Sequence, residues 1–176
     1  SPHGELTRDA LLNALSALDR LRAKELEADR AKPRASGETE TDKRFAAALA
    51  LYGSTFPHDA EIPRLLLADG QAYYDRKAFD PAVRIFGELL SRYPRSSEAQ
   101  IAGDRMLDAL VFANDFGNIE RWARTLKALP AYADGAQQRR LVNLMVQAVF
   151  KQGETEASRG HHGAAAESYL RVAKEF

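Results

Sequence analysis

At 176 residues the chain is long enough to bury roughly 70% of the surface it exposes when unfolded, so it needs no cross-link or metal to fold. It has no cysteine, which excludes disulfides, thiolate zinc sites and cysteine nucleophiles. Its 25 basic and 25 acidic residues cancel, leaving no overall field to hold nucleic acid or an anionic membrane, and no run of ~18 apolar residues is present to span a bilayer.

Residues 7–31 are rich in strong helix formers, with Leu11, Ala14, Leu18 and Leu21 on one stripe and Thr7 placed to cap. A long amphipathic helix is expected across residues 1–31. A heptad continued from Leu11 and Leu18 puts Glu25 on the seam, which favours packing on the following helices over a self-associating coil. Residues 32–41, KPRASGETET, contain no large apolar side chain and read as a flexible polar linker or loop. A helix over residues 42–54 then presents Phe45, Leu49 and Tyr52 and closes at Phe56-Pro57.

Asp59 and Pro63 open the next helix, and residues 63–96 follow as PRLLLADGQAYYDRKAFDPAVRIFGELLSRYPRS. Gly70 and Ala82 are small where two antiparallel helices must approach closely; Tyr73, Phe79 and Phe86 fill the wedge between them. Asp80 is expected to cap the second helix, Pro81 to occupy its first position, and Tyr93-Pro94 to end it. Ser96 or Ser97 caps a helix over residues 98–113. A turn at 114–118 leads to a helix with Ile119, Trp122, Leu126 and Leu129, ending at Pro130. Counted from its terminal proline, Trp122 stands where Phe86 did and Asn118 where Ala82 did. A long helix to about Ser158, a Gly160-His161-His162-Gly163 turn and a helix over 164–176 complete the chain. Gly153, Ala165, Tyr169, Val172 and Phe176 there repeat Gly70, Ala82, Phe86, Leu89 and Tyr93.

Prolines 57, 94 and 130 are 37 and 36 residues apart, close to the ~34-residue period of tetratricopeptide repeats. The residues Gly70, Tyr73, Ala82, Phe86 and Pro94, supported by Gly153, Ala165 and Tyr169, resemble that family. The resemblance implies an all-α, right-handed α-solenoid of antiparallel helix pairs, with three to four repeats over residues 42–176 and truncation at the C-terminal end. It also implies that the first helix of each pair lines a concave groove. Tyr93, Pro94, Ser96, Ala99 and Ala102 form a YPxSxxAxxA element similar to BamD-like and CpoB-like repeats of the bacterial cell envelope. The predominance of Arg, 18 of 25 basic residues, fits a GC-rich bacterial genome. Opening on SPHGEL, without methionine, the chain reads as an excised segment.

No phosphate-binding glycine loop or nucleophile elbow occurs. His161 and His162 lack the further ligands a metal needs and read as turn residues; Glu38 and Glu40 read as solvated carboxylates. No catalysis and no cofactor are expected. In the central repeat Arg64, Gln71, Tyr74 and Asp75 fall on the helix face opposite Gly70 and Tyr73, which the resemblance makes ligand-facing. Gln100, Asp104 and Asp108 continue that surface, followed by Asn143, Gln147 and Glu154; an ordinary solvated face is the plain alternative. The acids in this set point to a basic or neutral partner segment.

The expected function is a non-enzymatic scaffold binding a protein or peptide in a periplasmic or outer-membrane-associated complex, with the cytoplasm left open. A self-assembly module, or a regulatory arm of a larger enzyme, is the alternative.

Overall fold

The computed structural model describes residues 2–31 and 38–176. Among them the chain is helical throughout, with no strand: α1 (Pro2–Ala31), α2 (Glu40–Thr55), α3 (Ile62–Asp75), α4 (Phe79–Arg92), α5 (Glu98–Phe112), α6 (Phe116–Lys127), α7 (Gly135–Ser158) and α8 (His162–Glu175), with a short 3-10 turn at Pro130–Tyr132. No described helix is long and apolar enough to cross a membrane. The chain divides into two compact units, Ser1–Leu89 and Leu90–Phe176.

In the first unit α1 packs on α2 and α3. Its buried stripe runs through Leu15 and Arg22, both at most 2% exposed, whereas Ala14 and Leu21 face solvent. The expected stripe through Ala14 and Leu21 is thus rotated, because Leu18 is followed four residues later by a buried guanidinium rather than by an apolar side chain. Thr7 lies within the helix rather than capping it, since α1 already begins at Pro2. Residues 32–37 of the expected linker lie outside the described residues. Its last four are structured: Thr39 caps α2 in a capping box with Asp42, and Thr41 and Asp42 are buried.

α3 and α4 form an antiparallel pair closed on Gly70, where a Cβ would overlap the buried Phe86 ring. The turn is short. Lys77 takes a left-handed φ of 61°, Lys77 N donates to Tyr74 O and Ala78 N donates to Tyr73 O, and α4 starts at Phe79. Asp80 therefore sits inside the first turn of α4 rather than before it. Pro81 is still within the first turn, where no backbone partner is lost.

In the second unit α5 packs on α6, α6 on α7 and α7 on α8. The turn of the α3–α4 pair recurs twice. Asn114 has a φ of 54° and Gly160 one of 80°. Asp115 N donates to Leu110 O and His161 N to Glu156 O, and α6 and α8 each begin two residues past the left-handed position. Gly153 meets Tyr169 as Gly70 meets Phe86, with a Cβ placed 2.7 Å from the ring. Both pairs are 16 residues apart in sequence, and Ala82 and Ala165 are both buried.

The α5–α6 pair is built differently. Gly103 is covered by Leu126 and Tyr132, not by Trp122. The register counted back from Pro130 therefore does not hold: α6 stops at Lys127, and Pro130 begins the 3-10 turn that drives Tyr132, 1% exposed, into the core. Trp122 is half-buried beside Arg121, whose guanidinium lies 5.5 Å from the ring centroid. Asp115 caps α6, its Oδ1 accepting from the Asn118 backbone N–H at 3.2 Å, and the Asn118 side-chain amide donates to Asp115 Oδ2 at 2.5 Å. Ser97 precedes α5 without a side-chain cap bond.

Gly70→Leu overpacks the α3–α4 contact and is expected to cost ~1–3 kcal/mol in urea denaturation. Lys77→Gly removes a side chain from the left-handed region and is expected to stabilise the protein by about 1 kcal/mol in the same assay.

Candidate functional site

A cleft of about 300 Å³ opens between α1 and α3 in the first unit, at the small end of the range of ligand pockets. Ala23 and Leu26 of α1 and Ala68 and Ala72 of α3 form its apolar walls; Asp19, Gln71 and Asp75 supply polar groups, and Arg22 and Arg76 complete the lining.

Behind the lining lies a buried charge network. Arg22 Nη2 donates to Asp69 Oδ1 at 2.8 Å and to Asp69 O at 3.2 Å. Its Nε lies 2.9 Å from Asp42 Oδ1, a charge contact rather than an aligned hydrogen bond. The guanidinium also stacks 4.3 Å from the centroid of Phe45. Arg76, just past α3, donates to Asp42 Oδ2, reaches the Arg22 carbonyl at 3.3 Å and lies 3.5 Å from Glu25. Glu25 accepts from Thr39 and Thr41 at the start of α2, and Tyr73 Oη donates to Glu38 at 2.8 Å. Arg22 Nη1 and Arg76 Nε, both buried, have no hydrogen-bond partner.

Burial raises the Asp69 carboxyl to about 6 despite the opposing Arg22, and burial with the Glu38 contact pushes the Tyr73 phenol up. At the other end of α1, Arg8 Nε donates to Asp59 Oδ2 at 2.5 Å. That bond lowers Asp59 to about 2, and burial raises Tyr52 to about 12. Asp59 also accepts from Glu61 N at 2.9 Å, so it organises the α2–α3 turn.

Of the central-repeat residues singled out by sequence, Gln71 and Asp75 line this cleft, with Gln71 Nε2 donating to Asp75 Oδ1 at 2.6 Å. Arg64 is exposed and pairs with Glu61. Tyr74 packs edge-to-face on Phe79 at 5.9 Å.

In the second unit Asp104 accepts from Arg140 at 3.0 Å and from Tyr132 at 3.3 Å, joining α5 to α7. Gln100 gives Tyr132 its backbone carbonyl. Asp108 is half-buried on α5. Asn143 and Gln147 lie beside Arg139 and Arg140 in a shallow depression on α7. Gln147 also borders an apolar cleft of about 340 Å³ with Val111, Phe116, Leu144 and Phe150. Glu154 pairs with Lys151. His161 Nδ1 lies 2.6 Å from Glu156, whose carboxyl this contact lowers. No group of three or more potential metal ligands occurs among the described residues.

Compared with known proteins, the chain matches no family model, no curated protein and no solved structure. What the cleft can hold follows from its own residues. Sequence reasoning missed Asp19, Arg22 and Arg76. The available signal was positional: Arg22 falls seven residues after Leu15 and four after Leu18, on the face that α1 must bury.

Arg22→Met strands Asp42 and Asp69 and is expected to cost ~3–5 kcal/mol in urea denaturation, with part of that loss recovered in the double variant Arg22→Met, Asp69→Leu. The raised Asp69 pKa means that the folded state holds its proton more tightly than the unfolded chain. The stability contributed by Asp69 is therefore fullest below about pH 4 and is lost as pH rises through about 6. Urea midpoints of the parent relative to Asp69→Asn should fall over that window and level off above it.

Proposed function

We propose that this chain is a tetratricopeptide-type scaffold, a right-handed α-solenoid of helix pairs that binds a partner protein through its first-helix faces and performs no catalysis. The observation that carries the reading is the shared construction of α3–α4 and α7–α8. Each has a glycine against an aromatic ring 16 residues on, a left-handed residue between them and a buried alanine five residues past the turn. Close approach at one small residue and a wedge-filling ring define a repeat unit that can stack on its neighbours. The helix faces so presented carry Gln71 and Asp75 in the first unit and Asn143 and Gln147 in the second. The YPxSxxAxxA element at Tyr93 to Ala102 supports a bacterial envelope complex as the setting.

The test is affinity capture from a bacterial envelope extract with the parent, with a variant carrying Ala at Arg64, Gln71, Tyr74 and Asp75, and with Arg44→Ala, Arg84→Ala on the second helices. The captured protein, identified by mass spectrometry and purified, should bind the first variant at least about tenfold more weakly than the parent. It should bind the second variant as well as the parent. The opposite ranking defeats the reading.

A second reading, self-association, draws on Leu6 and Leu51, 68% and 55% exposed, which border an open apolar depression between α1 and α2. Sedimentation that shows a concentration-independent monomer removes it.

A further inference from the structure

Building on the scaffold reading, we propose that the cleft between α1 and α3 seats a lysine or arginine side chain of the partner polypeptide. Its cationic head is held by Asp19 and Asp75, and a neighbouring backbone carbonyl accepts from Arg22.

Charge argues for the cation. The two guanidiniums at the cleft, Arg22 and Arg76, are met by three carboxylates, Asp42, Asp69 and Glu25, so the network behind the lining carries no positive excess. Asp19 and Asp75 then add two further acids to the lining itself. Among the described residues the Asp19 side chain makes no hydrogen bond or ion pair, and the Asp75 side chain is met by the neutral Gln71 amide rather than by a cation.

Shape agrees. Ala68 and Ala72 on α3 and Ala23 and Leu26 on α1 are apolar along the same cleft, the surface that the methylene stem of lysine or arginine covers while its head stays among polar groups.

The independent observation is Arg22. It is 2% exposed, it lines the cleft, and its Nη1 has no hydrogen-bond partner. A buried donor left unmet costs about 1–3 kcal/mol. Its natural complement is a neutral acceptor such as a peptide carbonyl, because an added carboxylate would face the acids around it. A polypeptide offers both groups: an acceptor on its backbone and a cation at the end of a side chain.

The experiment is a titration of the ¹⁵N-labelled full chain with the peptide acetyl-Ala-Ala-Lys-Ala-Ala-amide, followed by amide shifts, beside the same peptide carrying Arg, norleucine or Glu and beside n-butylammonium chloride. The Lys and Arg peptides are expected to shift amides of residues 19–26 and 68–76, with affinity weakening as salt is raised from about 0.05 to 0.5 M. The norleucine and Glu peptides should bind at least about tenfold more weakly. Asp19→Asn, Asp75→Asn changes two groups outside the buried network, so its unfolding midpoint should match the parent while the Lys-peptide response is lost.

Equal binding of the norleucine peptide, or an undiminished response in the double variant, overturns the assignment. Butylammonium binding as tightly as the Lys peptide overturns the polypeptide part of it. The scaffold reading is separable: a partner whose capture is abolished by the four-residue variant but kept by Asp19→Asn, Asp75→Asn leaves the scaffold standing and defeats the cleft assignment alone.

Discussion

Taking the Arg22 guanidinium out of water would cost several kcal/mol if nothing met it, and two helices of the first unit, α2 and α3, are placed where they can meet it. Asp42 near the start of α2 and Asp69 in the middle of α3 supply the countercharges, Phe45 supplies a ring face, and Arg76 closes the network over Asp42. The pairing is directional in a way that apolar packing is not. A one-residue rotation of α1 would carry the guanidinium off both carboxylates at once. Arg8 and Asp59 repeat the device near the other end of the same helix. α1 is therefore fixed in rotation and in axial position, and the cleft beside α3 inherits that fixity, because Arg22 is at once the pivot of the network and part of the cleft lining.

Against this polar arrangement stands an apolar one. The pairs α3–α4 and α7–α8 close on a glycine that accepts an aromatic ring, and each pair is joined by a turn so short that the second helix starts two residues after the left-handed position. Such a joint leaves little freedom in the register of one helix on the other. The side chains outside the contact, Gln71 and Asp75 in one unit and Asn143 and Gln147 in the other, are presented by rigid helices rather than by loops.

The helix pattern was largely legible in the sequence because it rests on local signals. Glycine, alanine and aromatic residues at fixed offsets gave the α3–α4 and α7–α8 pairs, and Tyr93-Pro94 gave the end of α4. What misled was a proline taken as a terminator. Pro130 looked equivalent to Pro94, yet it opens a 3-10 turn whose Tyr132 fills the space over Gly103. Proline fixes φ and removes a donor, conditions that a helix end and a 3-10 start satisfy equally. The stripe of α1 was misplaced for a different reason. Hydrophobic periodicity cannot register a buried arginine, and the countercharges lie 20 and 47 residues away in sequence. For the site, Gln71 and Asp75 followed from helix geometry, but Asp19 belongs to α1, and its place beside α3 depends on that long-range pairing.

Trp122 gives the molecule an unequal optical make-up. It is the sole tryptophan of the chain, it sits half-buried in α6, and its indole nitrogen, buried without a partner, is shielded from solvent. Indole emission therefore reports on the Leu90–Phe176 unit alone, whereas the helical circular dichroism signal sums over both units. The molecule thus carries a built-in means of resolving the disassembly of one unit from that of the other, without any label.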